Sequence, residues 1–345
     1  MKLGMIVRAD DTGLGNQTHE LVKMLNPEKI LIIDSSKFHN KGVQHYDWYE
    51  NRNVVVSKGF PDNNTVVRFF SGINVVLSCE TFYNRDFVAL AKKKRIKTIL
   101  QYNFEFLENL SNERAILPDV LLAPSLWRFE DVKDRFENKC LVKHLPPPTS
   151  PDIFKNNREE NKKRSGRLLH VGGKAAIYDR NGTESVIEML KYSKEDYELV
   201  IKSQTDLEIE CDDPRVTFVI GNEENRQDLY SGYDAMIIPR RYAGLCLPMN
   251  EALMSGLPVF MTDISPNNII LPGDWLAKSH FVRVFMTRVG LDLYNADPES
   301  LAKVVDNYFS KKDLSEDKDK AYLLGYQNFS SDELKEKYIE LINSI

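Results

Sequence analysis

Residues 237–263, Ile-Ile-Pro-Arg-Arg-Tyr-Ala-Gly-Leu-Cys-Leu-Pro-Met-Asn-Glu-Ala-Leu-Met-Ser-Gly-Leu-Pro-Val-Phe-Met-Thr-Asp, decide the fold. The runs 236–239 and 258–262 are apolar and of strand length, and Pro248 and Gly256 punctuate a short helix between them. At the start of such a helix, unpaired N–H groups and the dipole favour an anion, so the amides of Gly244 and Leu245 are expected to face a phosphate. Glu251, in the first turns, suits two neighbouring hydroxyls such as a ribose presents. Taken alone, the segment also reads as an ordinary crossover with a carboxylate near a helix start.

Outward from this unit the chain alternates strand and helix, the pattern of mostly parallel sheets covered on both faces. Strands are expected at 2–7, 29–34, 54–56, 73–78, 98–102 and 120–123, with helices at 17–25, 67–70, 87–94 and 129–136. Three consecutive prolines in Leu145-Pro-Pro-Pro-Thr-Ser-Pro151, followed by the polar stretch 155–167, predict a linker. A second set follows: strands at 168–171, 197–201, 216–220, 235–239 and 258–262, helices at 183–190, 225–230 and 249–254, and amphipathic helices at 298–309 and 331–344. The expected class is α/β with two Rossmann-like, doubly wound lobes at 1–150 and 151–330.

A chain of 345 residues with 42% hydrophobic residues can bury two cores. No apolar run reaches the length of a membrane span and the N-terminus lacks a signal-peptide pattern, so a cytoplasmic location is expected. Four scattered cysteines and six histidines suggest neither a disulfide framework nor a zinc site. The net charge of −5 is uneven: residues 1–150 carry 21 Lys and Arg against 18 Asp and Glu, residues 151–345 carry 25 against 33. A basic first half permits an anionic acceptor there.

The segment 237–263 resembles the nucleotide-sugar signature of retaining GT-B glycosyltransferases, a Gly-x-x-Leu-Pro-x-x-Glu-Ala turn and helix followed by Gly-x-Pro-Val. Gly244, Leu247, Pro248, Glu251, Ala252, Gly256, Pro258 and Val259 match it. The resemblance extends over nearly the whole chain and implies two lobes with a cleft between them, and a final helix, 331–345, crossing back to the first lobe. It implies that Glu251 holds the nucleotide ribose. A second glutamate of the family, eight positions earlier, is Ala243 here, which puts the positioning of the sugar in question.

Other candidates lie at strand ends. In Asp10-Asp11-Thr12-Gly13-Leu14-Gly15-Asn16-Gln17, Gly13 and Gly15 let backbone approach a ligand, or simply make a tight turn; in the family frame they reach over the donor phosphate. A Rossmann dinucleotide fingerprint is disfavoured because a third glycine is missing. Gly173, Lys174 and Arg180 open the second lobe, and the two cations correspond to those that neutralise the leaving diphosphate, unless both are solvated. Arg240 and Arg241 follow a strand and are expected at the donor, with Tyr242 beside them. Glu80, Asn103 and Glu105 are candidates to orient or deprotonate an acceptor hydroxyl, or are carboxylates at helix starts. Asp317-Lys318-Asp319 is expected to be a solvated helix face, so no metal is assigned. The basic run 92–97 suits a helix C-terminus.

The function expected is transfer of a sugar from a nucleotide-sugar, a UDP-sugar above all, to a hydroxyl, with retention and without metal or other cofactor. The opening, 1–25, is also similar to bacteriophage glycosyltransferases, which makes hydroxymethylated pyrimidine in DNA a candidate acceptor, in the host cytoplasm. A glycan or protein acceptor is the alternative. A non-catalytic nucleotide-binding module that lost turnover with Ala243 is the second reading.

Overall fold

The computed structural model describes residues 2–36, 44–110, 115–173, 178–242 and 244–345, the side chain of Asn109 aside. The chain forms two compact units, Met1–Pro148 with Ser331–Ile345, and Thr149–Ser330.

The first unit holds β1 (Leu3–Val7), β2 (Lys29–Asp34), β3 (Val54–Lys58), β4 (Val75–Glu80), β5 (Lys97–Tyr102), β6 (Val120–Ala123) and β7 (Leu141–His144). They make one parallel sheet in the order β3-β2-β1-β4-β5-β6-β7. The central strands are buried along their whole length, as both faces are covered by helices, and this is why they appear in the sequence as unbroken apolar runs. The helices are α1 (Gly13–Leu25), α2 (Asn63–Phe70), α3 (Phe87–Lys93) and α4 (Phe129–Phe136). Thr12 caps α1 by accepting from the Gly15 amide, and Asn26 ends it in the left-handed region. Asp62 caps α2, so that helix starts earlier than its apolar residues alone suggest. Lys92 and Lys93 close α3, while Lys97 pairs with Asp119 at 3.2 Å. Leu334, Tyr338, Leu341 and Ile342 of the C-terminal helix (Ser331–Asn343) complete the core on one face of this sheet.

The second unit holds β8 (Arg167–Gly173), β9 (Glu198–Ser203), β10 (Val216–Ile220), β11 (Ala235–Ile237), β12 (Val259–Thr262) and β13 (Leu276–Ala277), parallel and ordered β10-β9-β8-β11-β12-β13. Its longer helices are α5 (Pro151–Asn161), α6 (Thr183–Met189), α7 (Leu247–Met254), α8 (Pro298–Phe309) and α9 (Ser315–Phe329). An antiparallel hairpin, β14 (Ser279–Met286) and β15 (Gly290–Ala296), stands apart from the sheet. The expectation of two doubly wound α/β lobes is met.

Three local expectations need correction. The stretch after Pro148 is not all linker: Pro151 fits the first turn of α5, where a missing N–H costs nothing, and Phe154 of that helix is fully buried. The hairpin escaped the sequence reading because β14 exposes most of its apolar residues. Asp317-Lys318-Asp319 is not a solvated face. On α9, Lys318 is buried and donates to Asp234 at 2.7 Å, Asp317 is buried against Lys311, and only Asp319 is largely exposed. The carboxylate of Asp234 also accepts from the Ser165 and Gly166 amides, which offsets the cost of burying the pair.

Among the described residues no helix is long and apolar enough to cross a membrane, and no three His, Cys, Asp or Glu residues gather as a metal site. All four cysteines are free.

Candidate functional site

In a doubly wound sheet, ligands bind beyond the carboxyl ends of the strands where the strand order reverses. In the second unit that point lies between β8 and β11. The loops that follow these two strands are the ones carrying Gly173 to Arg180 and Arg240 to Leu245.

After β11 the chain turns through Gly244 and Leu245 into α7, whose first helical residue is Leu247, with Cys246 as N-cap and no side chain capping it. The Arg240 guanidinium is buried and donates through Nη1 to the Leu245 carbonyl, so a cation is fixed beneath the turn. Arg240 Nε and Asn250 Nδ2, both buried, have no hydrogen-bond partner among the described residues. Buried donors left without an acceptor are costly, and here two of them accompany a helix N-terminus.

Glu251 is the fifth residue of α7 and is buried. Its Oε2 accepts from the Tyr230 hydroxyl at 2.6 Å and its Oε1 lies 3.3 Å from Arg226 Nε. Burial, then the Glu251 charge, raises the Tyr230 hydroxyl well above the ordinary tyrosine range. Glu251 is thus held in one orientation by two side chains that the sequence reading did not single out. Arg226 belonged to a segment read only as a short helix, with no signal that its cation would reach α7.

The loop after β8 is shaped by Asn181, which donates to the carbonyls of Val171 and Gly172 at 3.1 and 2.8 Å. Gly182 has φ +76° and packs so close that a Cβ would sit 2.5 Å from the Pro239 oxygen. Only glycine fits there, and it ties the two switch-point loops together. The Arg180 guanidinium lies 5.4 Å from the centre of the Tyr242 ring, and the Arg180 carbonyl accepts from the Arg241 amide at 3.0 Å. Arg241 spends its side chain on backbone, donating to the Tyr178 carbonyl and, at 3.2 Å, to the Tyr294 carbonyl. Gly173 is left-handed at φ +71°. Lys174 and Ala243 lie outside the described residues. His170 is fully buried between the Ile237 carbonyl and the Thr183 hydroxyl, and burial lowers its pKa, which makes it a neutral packing group.

The first unit reverses between β1 and β4. Gly13 and Gly15 open α1 just beyond β1, and a Cβ on Gly15 would collide with the Asp10 backbone oxygen. Glu80 ends β4 with φ +63°, and Tyr83 follows with φ +57°; both are strained for residues with a Cβ. Glu80 interacts with Asn103, Glu105 and Arg8, so the structure brings the three predicted acceptor residues together. Burial lifts the Glu80 carboxyl above the ordinary range, Arg8 and the Asn103 bond oppose this, and Glu105 adds to it. Asn103 Oδ1 accepts from the Glu105 amide at 3.1 Å. Arg8, just beyond the expected strand 2–7 and given no role in the sequence reading, is buried and held by Asp10, with Nε 2.9 Å from Oδ2. The signal was present as a charged residue two places before a carboxylate at a strand end, but nothing in the sequence distinguished it from a solvated pair.

No family model matches this chain, and no curated protein does. Solved structures do match in fold. Anabaena Alr3699/HepE in complex with UDP and glucose is 11% identical over 100% of both chains, with a TM-score of 0.68. A glycosyltransferase from Rickettsia africae ESF-5 is 13% identical over 99% of this chain and 98% of its own, with a TM-score of 0.67. The lipopolysaccharide outer core galactosyltransferase WaaB in its apo form is 14% identical over 100% of this chain and 99% of its own, with a TM-score of 0.66. The chain therefore shares with these structures the GT-B fold, two Rossmann-like domains in one chain.

Proposed function

We propose that this protein is a metal-independent glycosyltransferase that takes a sugar from a nucleotide-sugar, a UDP-sugar in the first instance, and passes it to a hydroxyl. The observation that carries the reading is the pair of buried donors, Arg240 Nε and Asn250 Nδ2, without acceptors among the described residues, at the start of α7 and at a strand-order reversal. A diphosphate would satisfy such donors, and the neighbouring Glu251 carboxylate would take ribose hydroxyls. HepE is similar in fold and was solved with UDP and glucose, which supports uridine as the base to try first.

The chemistry follows from charge. As the bond from the anomeric carbon to the phosphate oxygen breaks, negative charge grows on the diphosphate, and Arg240, Arg180, Lys174 and the helix dipole offset it. The acceptor oxygen bonds to the anomeric carbon and its proton passes to the departing phosphate oxygen, the route that gives retention. Glu80, Asn103 and Glu105 in the first unit orient the acceptor hydroxyl. Hydroxymethylated pyrimidine in DNA is the narrower acceptor proposal and rests on the likeness of residues 1–25 to bacteriophage enzymes.

Titration with UDP and UDP-sugars by calorimetry, followed by mass analysis of hydroxymethylated DNA and of glycan acceptors, tests the reading. Absence of any nucleotide affinity sinks it. Affinity without donor hydrolysis or transfer favours a binding module, for which Ala243 in place of the family glutamate is the motive. Transfer to a glycan with no mass gain on DNA removes the DNA proposal alone.

A further inference from the structure

The carboxylate of Glu251 sits in a scaffold more elaborate than a ribose contact by itself requires. Both of its partners belong to one short 3-10 helix, Arg226–Tyr230. Helix α5 fastens that element near both ends: Asn157 Nδ2 donates to the Gln227 carbonyl at 2.6 Å, and Asn161 Nδ2 to the Tyr230 carbonyl at 2.9 Å. Asn161 Nδ2 also donates to the Ser255 carbonyl at 3.0 Å, at the end of α7, and the Ser255 hydroxyl donates back to the Glu251 carbonyl at 2.9 Å. Asn157, Asn161 and Ser255 are all buried. One helix thus sets the backbone of the two donors and of the carboxylate in a common frame.

The side chains share a support as well. Phe154 of α5 is fully buried, with the Arg226 guanidinium 5.6 Å from its ring centre and the Tyr230 ring edge-on to it at 6.0 Å. Each oxygen of Glu251 has its own donor, the Tyr230 hydroxyl on Oε2 and Arg226 Nε on Oε1. With a donor on each oxygen, the carboxylate plane cannot turn without losing a contact. The pair is not sealed, since the side chains of Arg226 and Glu251 remain 21 and 9% exposed. A carboxylate oxygen accepts more than one hydrogen bond, so a ligand can add to a carboxylate that is already held.

We propose that Arg226 and Tyr230 are positioning residues that set the Glu251 plane for two neighbouring hydroxyls, and that through them the site selects ribonucleotide over 2′-deoxyribonucleotide donors. The inference rests on the transferase reading and narrows its donor to a ribonucleoside diphosphate sugar. Preorganisation is the physical reason: an acceptor already fixed in orientation loses little freedom when it binds a diol. A sugar with one hydroxyl missing leaves that fixed acceptor short of a bond, and a site built for a hydroxyl discriminates against the analogue without it. A carboxylate able to turn would follow either sugar and tell them apart less well.

Calorimetric titration of the full-length protein with UDP and with 2′-deoxy-UDP tests this. The wild type should bind UDP about tenfold more tightly, the worth of one charge-assisted bond. In Tyr230→Phe, which keeps the ring against Phe154, and in Arg226→Gln, affinity for UDP should fall while that for 2′-deoxy-UDP stays nearly level, so that the ratio shrinks to about threefold or less. A purely structural role would weaken both nucleotides alike and leave the ratio unchanged, and melting temperatures show that each variant is folded. Equal wild-type affinities for the two nucleotides, or a tenfold ratio that survives in the folded variants, overturns the inference and leaves the transferase reading standing. Absence of any UDP affinity sinks that reading and this inference with it.

Discussion

Glu251 shows how a residue's role depends on what holds it. Its carboxylate accepts from Tyr230 and pairs with Arg226, so truncation to Ala would strand a buried hydroxyl and a cation as well as remove the proposed ribose ligand. Glu251→Gln is the cleaner change because it keeps an acceptor for Tyr230. Its melting temperature should fall less than that of Glu251→Ala, since Arg226 loses a charged partner but keeps a polar one, while UDP affinity in calorimetry falls about tenfold, the loss expected for one charge-assisted bond; unchanged affinity refutes the ribose assignment. His144 is a second residue with a measurable consequence. Burial lowers its pKa from the ordinary 6.5 to about 4. Below pH 6.5 the unfolded chain takes a proton that the folded one refuses, so stability is intact above that pH and declines as pH falls toward 4. The contribution is about 2–3 kcal/mol at the acid end. Melting curves of His144→Gln should lose that part of the acid slope, and parallel slopes for both proteins argue against it. Glu251 was legible because its motif is local, spaced by one short helix. Arg8 was not, because its burial depends on Asp10 folding back onto it.

At the scale of the element, turns and caps make sharper claims than strands. The β1–α1 turn passes Gly15 so close to the Asp10 backbone that any side chain would collide. Gly15→Ala should cost about 3 kcal/mol in urea unfolding, since backbone rather than a flexible side chain must move; a loss under about 1 kcal/mol means the turn relaxes more easily than its packing suggests. Asp62→Ala removes the cap bond to the Thr65 amide, 2.7 Å long, and should cost about 1 kcal/mol by the same measurement. Strands of the two sheets could be read as apolar runs because both their faces are covered. The ribbon β14–β15 could not, since a strand that leaves Phe281, Val284 and Met286 in the open gives no burial pattern to detect.

Across the whole molecule, each unit has its own core, and the last helix belongs to the first of them. Tyr338 is buried there, accepts from Gln101 Nε2 at 2.9 Å and donates to the Pro146 carbonyl at 3.0 Å. Tyr338→Ala should lower the stability of that unit by about 3–5 kcal/mol and leave the second unit unchanged, as read by hydrogen exchange of amides in β1 and β8. Equal loss of protection in both strands would mean that the two units unfold as one. What the chain determines by itself is the succession of strands and helices and the short helix after Cys246, because period, proline and glycine act over a few residues. Which loops meet is another matter. That β8 lies beside β11, and β1 beside β4, follows from the order in which strands pair, and this alone brings Arg180 to Tyr242 and Glu80 to Arg8. Those pairings are set by the burial of whole sheets between layers of helices, a property of the folded unit that no local window of sequence contains.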